Sequence, residues 1–302
     1  MELDYFVVDV FTETPLKGNP LAVVMNTAGL KTEQMQSIAR EFNLSETTFI
    51  ERREAAVELP EGVRVRIFTT QEELNFAGHP TLGTASVLRL HAPETLRGDT
   101  VTLAENVGAV PVRFSGAALY GEMTQRDPDF GAKLDPAEVA RLIGLEPEDL
   151  DPAVPPQTVS TGTAFAIVAL RSAEALARLR VDQLQATPWL RERGARWFYV
   201  LGPVGNQQGE KQNPNPIAEW RARMQFYGGE DPATGSAAGC AISHLVARGT
   251  VPSGATIHLR QGVEIGRPSD LFLSARKEST RVTDVRVAGS TVLVANGRLF
   301  LA

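Results

Sequence analysis

Hydrophobic and polar positions alternate over short stretches from the beginning of the chain. Tyr5, Val7 and Val10 predict one strand, and Leu21 to Met25 a second. The turn-rich run Thr14-Pro15-Leu16-Lys17-Gly18-Asn19-Pro20 separates them. The period then changes: Met35, Ile38, Ala39 and Phe42 fall at helical spacing, so a helix is expected over Thr32 to Phe42. Thr32 is expected to cap its start, and Asn43 to end it in a left-handed conformation. Alternation returns at Thr47 to Glu51 and Arg64 to Phe68, and a helix of small residues is expected over Pro80 to Leu90.

The second half uses the same grammar. Asp135-Pro136-Ala137-Glu138 predicts a capped helix start, with Gly144 as its stop. Val159 and Ala164 to Leu170 read as strands, and Ser172 to Leu179 as a helix. Gly202 to Pro216 reads as irregular, and Gly235 to Ala247 as another small-residue helix. Four closing strands are expected around Leu271-Phe272-Leu273, Val285-Arg286-Val287, Val292-Leu293-Val294 and Leu299-Phe300-Leu301.

Two strings recur in the same order. Gly18-Asn19-Pro20-Leu21-Ala22-Val23-Val24 matches Gly162-Thr163-Ala164-Phe165-Ala166-Ile167-Val168. His79-Pro80-Thr81-Leu82-Gly83-Thr84-Ala85 matches Asp231-Pro232-Ala233-Thr234-Gly235-Ser236-Ala237. Either match alone is weak; together they indicate an internal duplication.

Composition narrows the class. The chain has 302 residues, 43% hydrophobic and 22% charged, and a net charge of -6, which argues against a nucleic-acid partner. Its apolar runs are strand-sized, short of the roughly 20 residues that span a bilayer. Glu2 and Asp4 stand where a secretory leader is basic. Cys240 is the lone cysteine, so neither an intramolecular disulfide nor a thiol pair for zinc can form. A cytoplasmic protein with no membrane partner and no metal is expected.

Three segments could carry chemistry. Gly78-His79-Pro80-Thr81-Leu82-Gly83 opens a helix, where unpaired amides and the helix dipole attract an anion. The bland alternative is a tight turn with His79 as N-cap. Gly229-Glu230-Asp231-Pro232-Ala233-Thr234-Gly235-Ser236 places two acids before a second such start. It lacks the lysine of a phosphate-binding loop and the glycine spacing of a dinucleotide site. Here the bland alternative is that Asp231 caps the helix and Ser236 packs. Asn43-Leu44-Ser45-Glu46-Thr47-Thr48-Phe49 sets an acid between a helix end and an apolar strand. Desolvation there would raise the Glu46 pKa toward the range a general acid/base needs, unless the side chain simply faces water. His91, His244 and His258 show no metal-ligand spacing and are expected on the surface or a helix face, with Cys240 buried in a helix.

With Phe11, Gly18-Asn19-Pro20, Asn43-Leu44-Ser45-Glu46-Thr47, Phe68-Thr69-Thr70 and both helix-opening motifs in this order, the chain resembles the PhzF-like family of phenazine biosynthesis. That family is similar in fold to diaminopimelate epimerase. The resemblance implies a mixed α/β (α+β) fold of two similar halves, each a curved, mostly antiparallel sheet around a central helix. The halves would be 1–120, completed by 291–302, and 121–290. It also implies a homodimer, no cofactor, and a small anionic substrate, aromatic or an amino acid. Glu46 matches the family's catalytic acid/base; His79, Asp231 and Ser236 match substrate contacts, with Gly78 and Gly235 beside them. The two cysteines of diaminopimelate epimerase match Ala77 and Asp231, so a two-cysteine racemase is not expected. The expected activity is an isomerase that moves a proton between carbons. Alternatives are an epimerase or racemase pairing Glu46 with Asp231 or His79, and a non-catalytic binding protein.

Overall fold

The computed structural model describes residues 1–116, 119–205, 217–226 and 229–301. The chain divides into two compact units, Met1–Thr124 with Ala288–Ala302, and Gln125–Val287. In chain order the first contains β1 (Glu2–Val10), β2 (Asn19–Val24), α1 (Thr32–Phe42), β3 (Glu46–Glu51), α2 (Ala55–Glu61) and β4 (Val63–Thr69). After these come β5 (Glu73–Leu74), α3 (Gly78–His91), β6 (Thr100–Glu105), β7 (Gly108–Ser115) and β8 (Tyr120–Thr124). The second unit contains β9 (Asp129–Lys133), α4 (Pro136–Ile143), β10 (Gln157–Ser160), β11 (Ala164–Ala169), α5 (Gln183–Glu192), β12 (Trp197–Pro203) and β13 (Ala218–Arg223). Then come β14 (Gln225–Phe226), β15 (Gly229–Glu230), α6 (Gly235–Arg248), β16 (Ile257–Gln261) and β17 (Ser269–Glu278). Strand β18 (Arg281–Phe300) begins in the second unit and ends in the first.

In the first unit the strand order is β1-β2-β3-β4-β6-β7-β8-β18, and β18 pairs again with β1 to close the ring. Only β2–β3 and β4–β6 are parallel among the pairings from β1 to β8. Helix α3 touches β1, β2, β3, β6, β7 and β8 and is buried from Gly78 to Leu88. It has no polar face because the sheet surrounds it. Gly83 explains how closely it sits: a Cβ there would lie 2.7 Å from Leu21 Cδ2 and 2.8 Å from Val10 Cγ2. Outside the ring, the apolar stripe of α1 (Met35, Ile38, Ala39) packs on Val24, Phe49 and Phe68. Each of the larger side chains here contributes about 1.5–3 kcal/mol through burial.

The second unit repeats the order of pairings. Strands β9-β10-β11-β12-β13-β16-β17 are neighbours in that sequence, with β11–β12 and β13–β16 parallel and the others antiparallel. Helix α6 is buried from Gly235 to Val246 and touches β10, β11 and β17. Both buried helices have 14 residues. The strands thus correspond as β1/β10, β2/β11, β3/β12, β4/β13, β6/β16 and β7/β17.

Several local expectations change. Lys31, not Thr32, is the N-cap of α1, while Asn43 does end that helix with φ of 51°. Asp135 caps α4 by accepting from the Glu138 amide, and Gly144 ends it left-handed. Ser172–Leu179 yields only a 3-10 helix, Ala173–Arg178. Helices α2 and α5 contain Pro60 and Pro188, residues that mark a break in a sequence reading. The last three expected strands are one, β18, because the two sides of the intervening Gly289-Ser290 keep extended pairing. The irregular stretch expected over Gly202 to Pro216 begins inside β12, and its residues from 206 on lie outside the described ones. No helix is long and apolar enough to cross a membrane among the described residues.

Candidate active site

In the first unit three predicted or adjacent polar residues come together through backbone pairing. Glu46 is the first residue of β3, paired with Leu21 on one side and Thr69 on the other. Asn19 is the first residue of β2, paired with Val10. It follows Gly18, whose φ of +66° and missing Cβ let the chain pass the Val10 carbonyl oxygen; a Cβ would lie 2.4 Å from it. That turn is held by Leu16 N, which donates to Asp9 Oδ2 at 2.6 Å. His79 is the second residue of α3, just after the extended N-cap Ala77. Pro80 follows without cost, because the first amides of a helix have no intrahelical acceptor. The reading of His79 as the cap is therefore corrected: its ring is buried, 3% exposed, and engaged with neighbouring side chains.

Asn19 Nδ2 lies 3.1 Å from His79 Nδ1 and donates to it. The ring proton then sits on Nε2, which stands 3.4 Å from Glu46 Oε2. That separation is within ion-pair reach and longer than an ordinary hydrogen bond. Burial pushes the His79 pKa down to about 3. The ring is thus neutral, a donor through Nε2–H with its other nitrogen occupied. The Glu46 side chain is 15% exposed, with Oε2 itself buried on the side that faces His79. Behind this pair, Thr48 Oγ1 and Thr84 Oγ1 meet at 2.8 Å and tie β3 to α3.

In the second unit Asp231 is buried just before α6. Its amide donates to Met224 O at 2.9 Å, and its Oδ2 accepts from Thr234 Oγ1 at 2.6 Å. Thr234, not Asp231, is the N-cap residue. Gln261 ties the turn together: its Nε2 donates to Asp231 O at 2.8 Å and Thr234 Oγ1 at 2.9 Å. Its Oε1 accepts from Thr234 N and from Tyr199 Oη, at 3.1 and 2.9 Å. Gly235 O accepts from Gln125 Nε2 at 2.9 Å, and Ser236 is buried in the first turn of α6. Glu230 is held by two bonds from Arg223, with Nε to Oε1 at 2.9 Å. Gln125, Gln261 and Asn19 carried no sequence signal as site residues, because amides take their roles from partners that are distant in the chain.

The remaining candidates are structural. His244 is buried, with Nε2 2.9 Å from Pro155 O and its pKa pushed down to about 4. His258 pairs with Asp270 at 2.8 Å, and His91 stacks on Phe6. Burial pushes the Cys240 thiol up to about 12, so it remains protonated. Among the described residues no three His, Cys, Asp or Glu side chains gather as metal ligands.

Residues 8–297 match the family model described as phenazine biosynthesis-like protein. The chain is 36% identical to the trans-2,3-dihydro-3-hydroxyanthranilate isomerase of Pseudomonas aeruginosa, covering 98% of this chain and 99% of that one. A structure described as a predicted epimerase from Pseudomonas aeruginosa has 34% identity and a TM-score of 0.80, covering 99% and 100% of the two chains. A probable proline racemase from Agrobacterium radiobacter shares the fold alone, at 10% identity and a TM-score of 0.65, over 99% and 93%. With its fold, its helix-opening motifs and full-length relatives named as isomerases, the chain belongs to the phenazine biosynthesis-like family of isomerases.

Proposed function

We propose that this protein is a cofactor-independent isomerase that moves a proton between carbons of a small carboxylate, with Glu46 as the acid/base. The observation that carries the reading is the Glu46–His79 pair: a carboxylate on a partly exposed side chain, 3.4 Å from a buried ring nitrogen that bears a proton. A carboxylate in that position can remove a carbon-bound proton while the electron pair stays delocalised on the substrate. As the acid it then returns the proton to another carbon. One group acting twice needs no cofactor. The Nε2–H of His79 supports the ionised form of Glu46 before abstraction, and the dipole of α3 adds to it.

His79 is poorly suited to be a second base. Its Nδ1 lone pair accepts from Asn19, and a conjugate acid with a pKa of about 3 marks a weak base. That favours one shuttle over an epimerase pairing Glu46 with His79. The family resemblance assigns Asp231, Ser236 and the glycines Gly78 and Gly235 to substrate contact. Both Asp231 and Ser236 lie at the buried start of α6, where Asp231 Oδ2 accepts from Thr234.

The name of the Pseudomonas relative supplies the first compound to test, trans-2,3-dihydro-3-hydroxyanthranilate. Proton NMR in deuterium oxide should follow its isomerisation with the migrating hydrogen largely retained. Complete incorporation of solvent deuterium would indicate two exchangeable bases instead. Binding without turnover would support a non-catalytic role.

A further inference from the structure

Glu105, at the end of β6, is buried yet is not one of the residues assigned to the reaction. Its Oε1 lies 2.6 Å from Thr81 Oγ1, and its Oε2 is buried with no hydrogen-bond partner among the described residues. Thr81 Oγ1 is also 2.8 Å from Ala77 O. A hydroxyl has one proton, and the Ala77 carbonyl can only accept. If Thr81 donates to Ala77, the short contact to Glu105 needs a proton from the carboxyl.

At the equivalent strand end the second unit carries an amide. The buried positions of β6 are Val101, Leu103 and Glu105; those of β16, its counterpart, are Ile257, Leu259 and Gln261. Gln261 donates from Nε2 to Thr234 Oγ1, and Thr234 passes its own proton to Asp231 Oδ2. In each unit the strand-end side chain meets a threonine hydroxyl near the start of the buried helix: Thr81, the fourth residue of α3, in the first, and Thr234, the N-cap of α6, in the second. In the position of Glu105 the duplicate uses a side chain that is always neutral and always a donor.

We propose that Glu105 works as the neutral carboxylic acid, donating to Thr81 Oγ1 and thereby fixing the first turn of α3, which carries Gly78 and His79. It is a positioning residue for the site proposed above, and rests on that reading only for its relevance to catalysis. The charges around it permit this state. From β4, Arg64 faces it but spends its guanidinium on Ala104 O at 3.1 Å and Asn106 Oδ1 at 2.6 Å. On α3 the nearby titratable group is His79, itself neutral; Arg89 instead bonds Gly116 O, and His91 stacks on Phe6. On β7, Arg113 is paired with Thr100 at the far end of β6. On α2, Glu58 and Glu61 are held by Arg52 and Arg53. Burial outweighs both the Thr81 contact and Arg64 and pushes Glu105 up to about 8.

Carbon-13 NMR of protein labelled at glutamate carboxyls, with nitrogen-15 spectra of the His79 ring, tests this without any substrate. One carboxyl resonance, missing from Glu105→Gln, should stand at the neutral-acid position at neutral pH and move as pH rises through about 8. The His79 ring signals should shift with it in the wild type and stay fixed across the same range in Glu105→Gln. Glu105→Leu, which cannot donate, should displace those signals at neutral pH, whereas Glu105→Gln keeps them. A Glu105 resonance already at the ionised position at neutral pH overturns the proposal. So does a His79 ring that ignores the Glu105 titration. Because these spectra need no turnover, failure of the isomerase assay would leave them intact as a separate result.

Discussion

Asn19 Nδ2 donates to His79 Nδ1 across 3.1 Å, and that contact decides which ring nitrogen presents a proton to Glu46. Asn19→Asp reverses the polarity: the new carboxylate takes the ring proton on Nδ1, and a bare Nε2 lone pair then faces Glu46. In the proposed reaction the 3.4 Å contact tightens to a charge-assisted hydrogen bond, worth about 1.5–3 kcal/mol, so turnover should fall roughly ten- to a hundredfold. Nitrogen-15 shifts of the ring should report the exchanged tautomer. Unchanged turnover with the exchanged tautomer would remove His79 from the proposed mechanism.

Glu46→Gln keeps the volume at the start of β3 but removes the group that accepts the proton. General acid/base catalysis is worth about 10²–10⁴-fold, so turnover should drop at least that far. Affinity for substrate should change little, and the thermal midpoint should hold, since β3 keeps both of its strand neighbours. Single-turnover rates and titrations separate the two quantities. Wild-type turnover in this variant would move the acid/base role elsewhere.

His79 also leaves a mark on stability. Its folded pKa of about 3 lies below the ordinary 6.5, so between those values the unfolded chain binds a proton that the folded one refuses. Stability is full above 6.5 and declines as pH falls toward 3. His79→Gln removes this component. Denaturant midpoints of the two proteins should therefore converge or cross as pH falls below 6.5. Parallel curves would mean that the ring takes up its proton in the folded state at the ordinary pH.

The sequence made some of this legible and hid the rest for physical reasons. Asp135-Pro136 and Gly144 specify α4 locally, because cap, fixed φ and left-handed stop all act within the helix itself. Strand β4 is legible through the buried alternation Val63, Val65 and Ile67, and β2 through a continuous apolar run, Leu21 to Val24, buried on both faces. Helices α2 and α5 were not, since Pro60 and Pro188 read as breakers and tertiary packing overrides them. The Glu46 and His79 motifs stood out in sequence, but their pairing depends on strand register between β2, β3 and β4. The tautomer depends on Asn19, which is 60 residues from His79. Glu105 and Gln261 gave no signal at all. Their equivalence rests on burial along β6 and β16, which only the fold reveals.

Asp231 offers the sharpest contrast with Glu46. Its Oδ2 already accepts from Thr234, and its carbonyl is fixed by Gln261, so the turn survives if the carboxylate becomes an amide. Asp231→Asn can still accept from the Thr234 hydroxyl through its remaining oxygen. What it loses is the negative charge, which at a substrate contact would favour an amino group. A charge-assisted hydrogen bond is worth about 1.5–3 kcal/mol, which corresponds to roughly ten- to a hundredfold in Kd. The expected signature is a higher Kd together with slower turnover, where Glu46→Gln slows turnover with Kd nearly unchanged. Titration of a non-reacting aromatic amino acid with a free amino group isolates the binding part. If Asp231→Asn binds that ligand as tightly as the wild type, Asp231 is a structural residue of the α6 turn and its assignment to substrate contact is withdrawn.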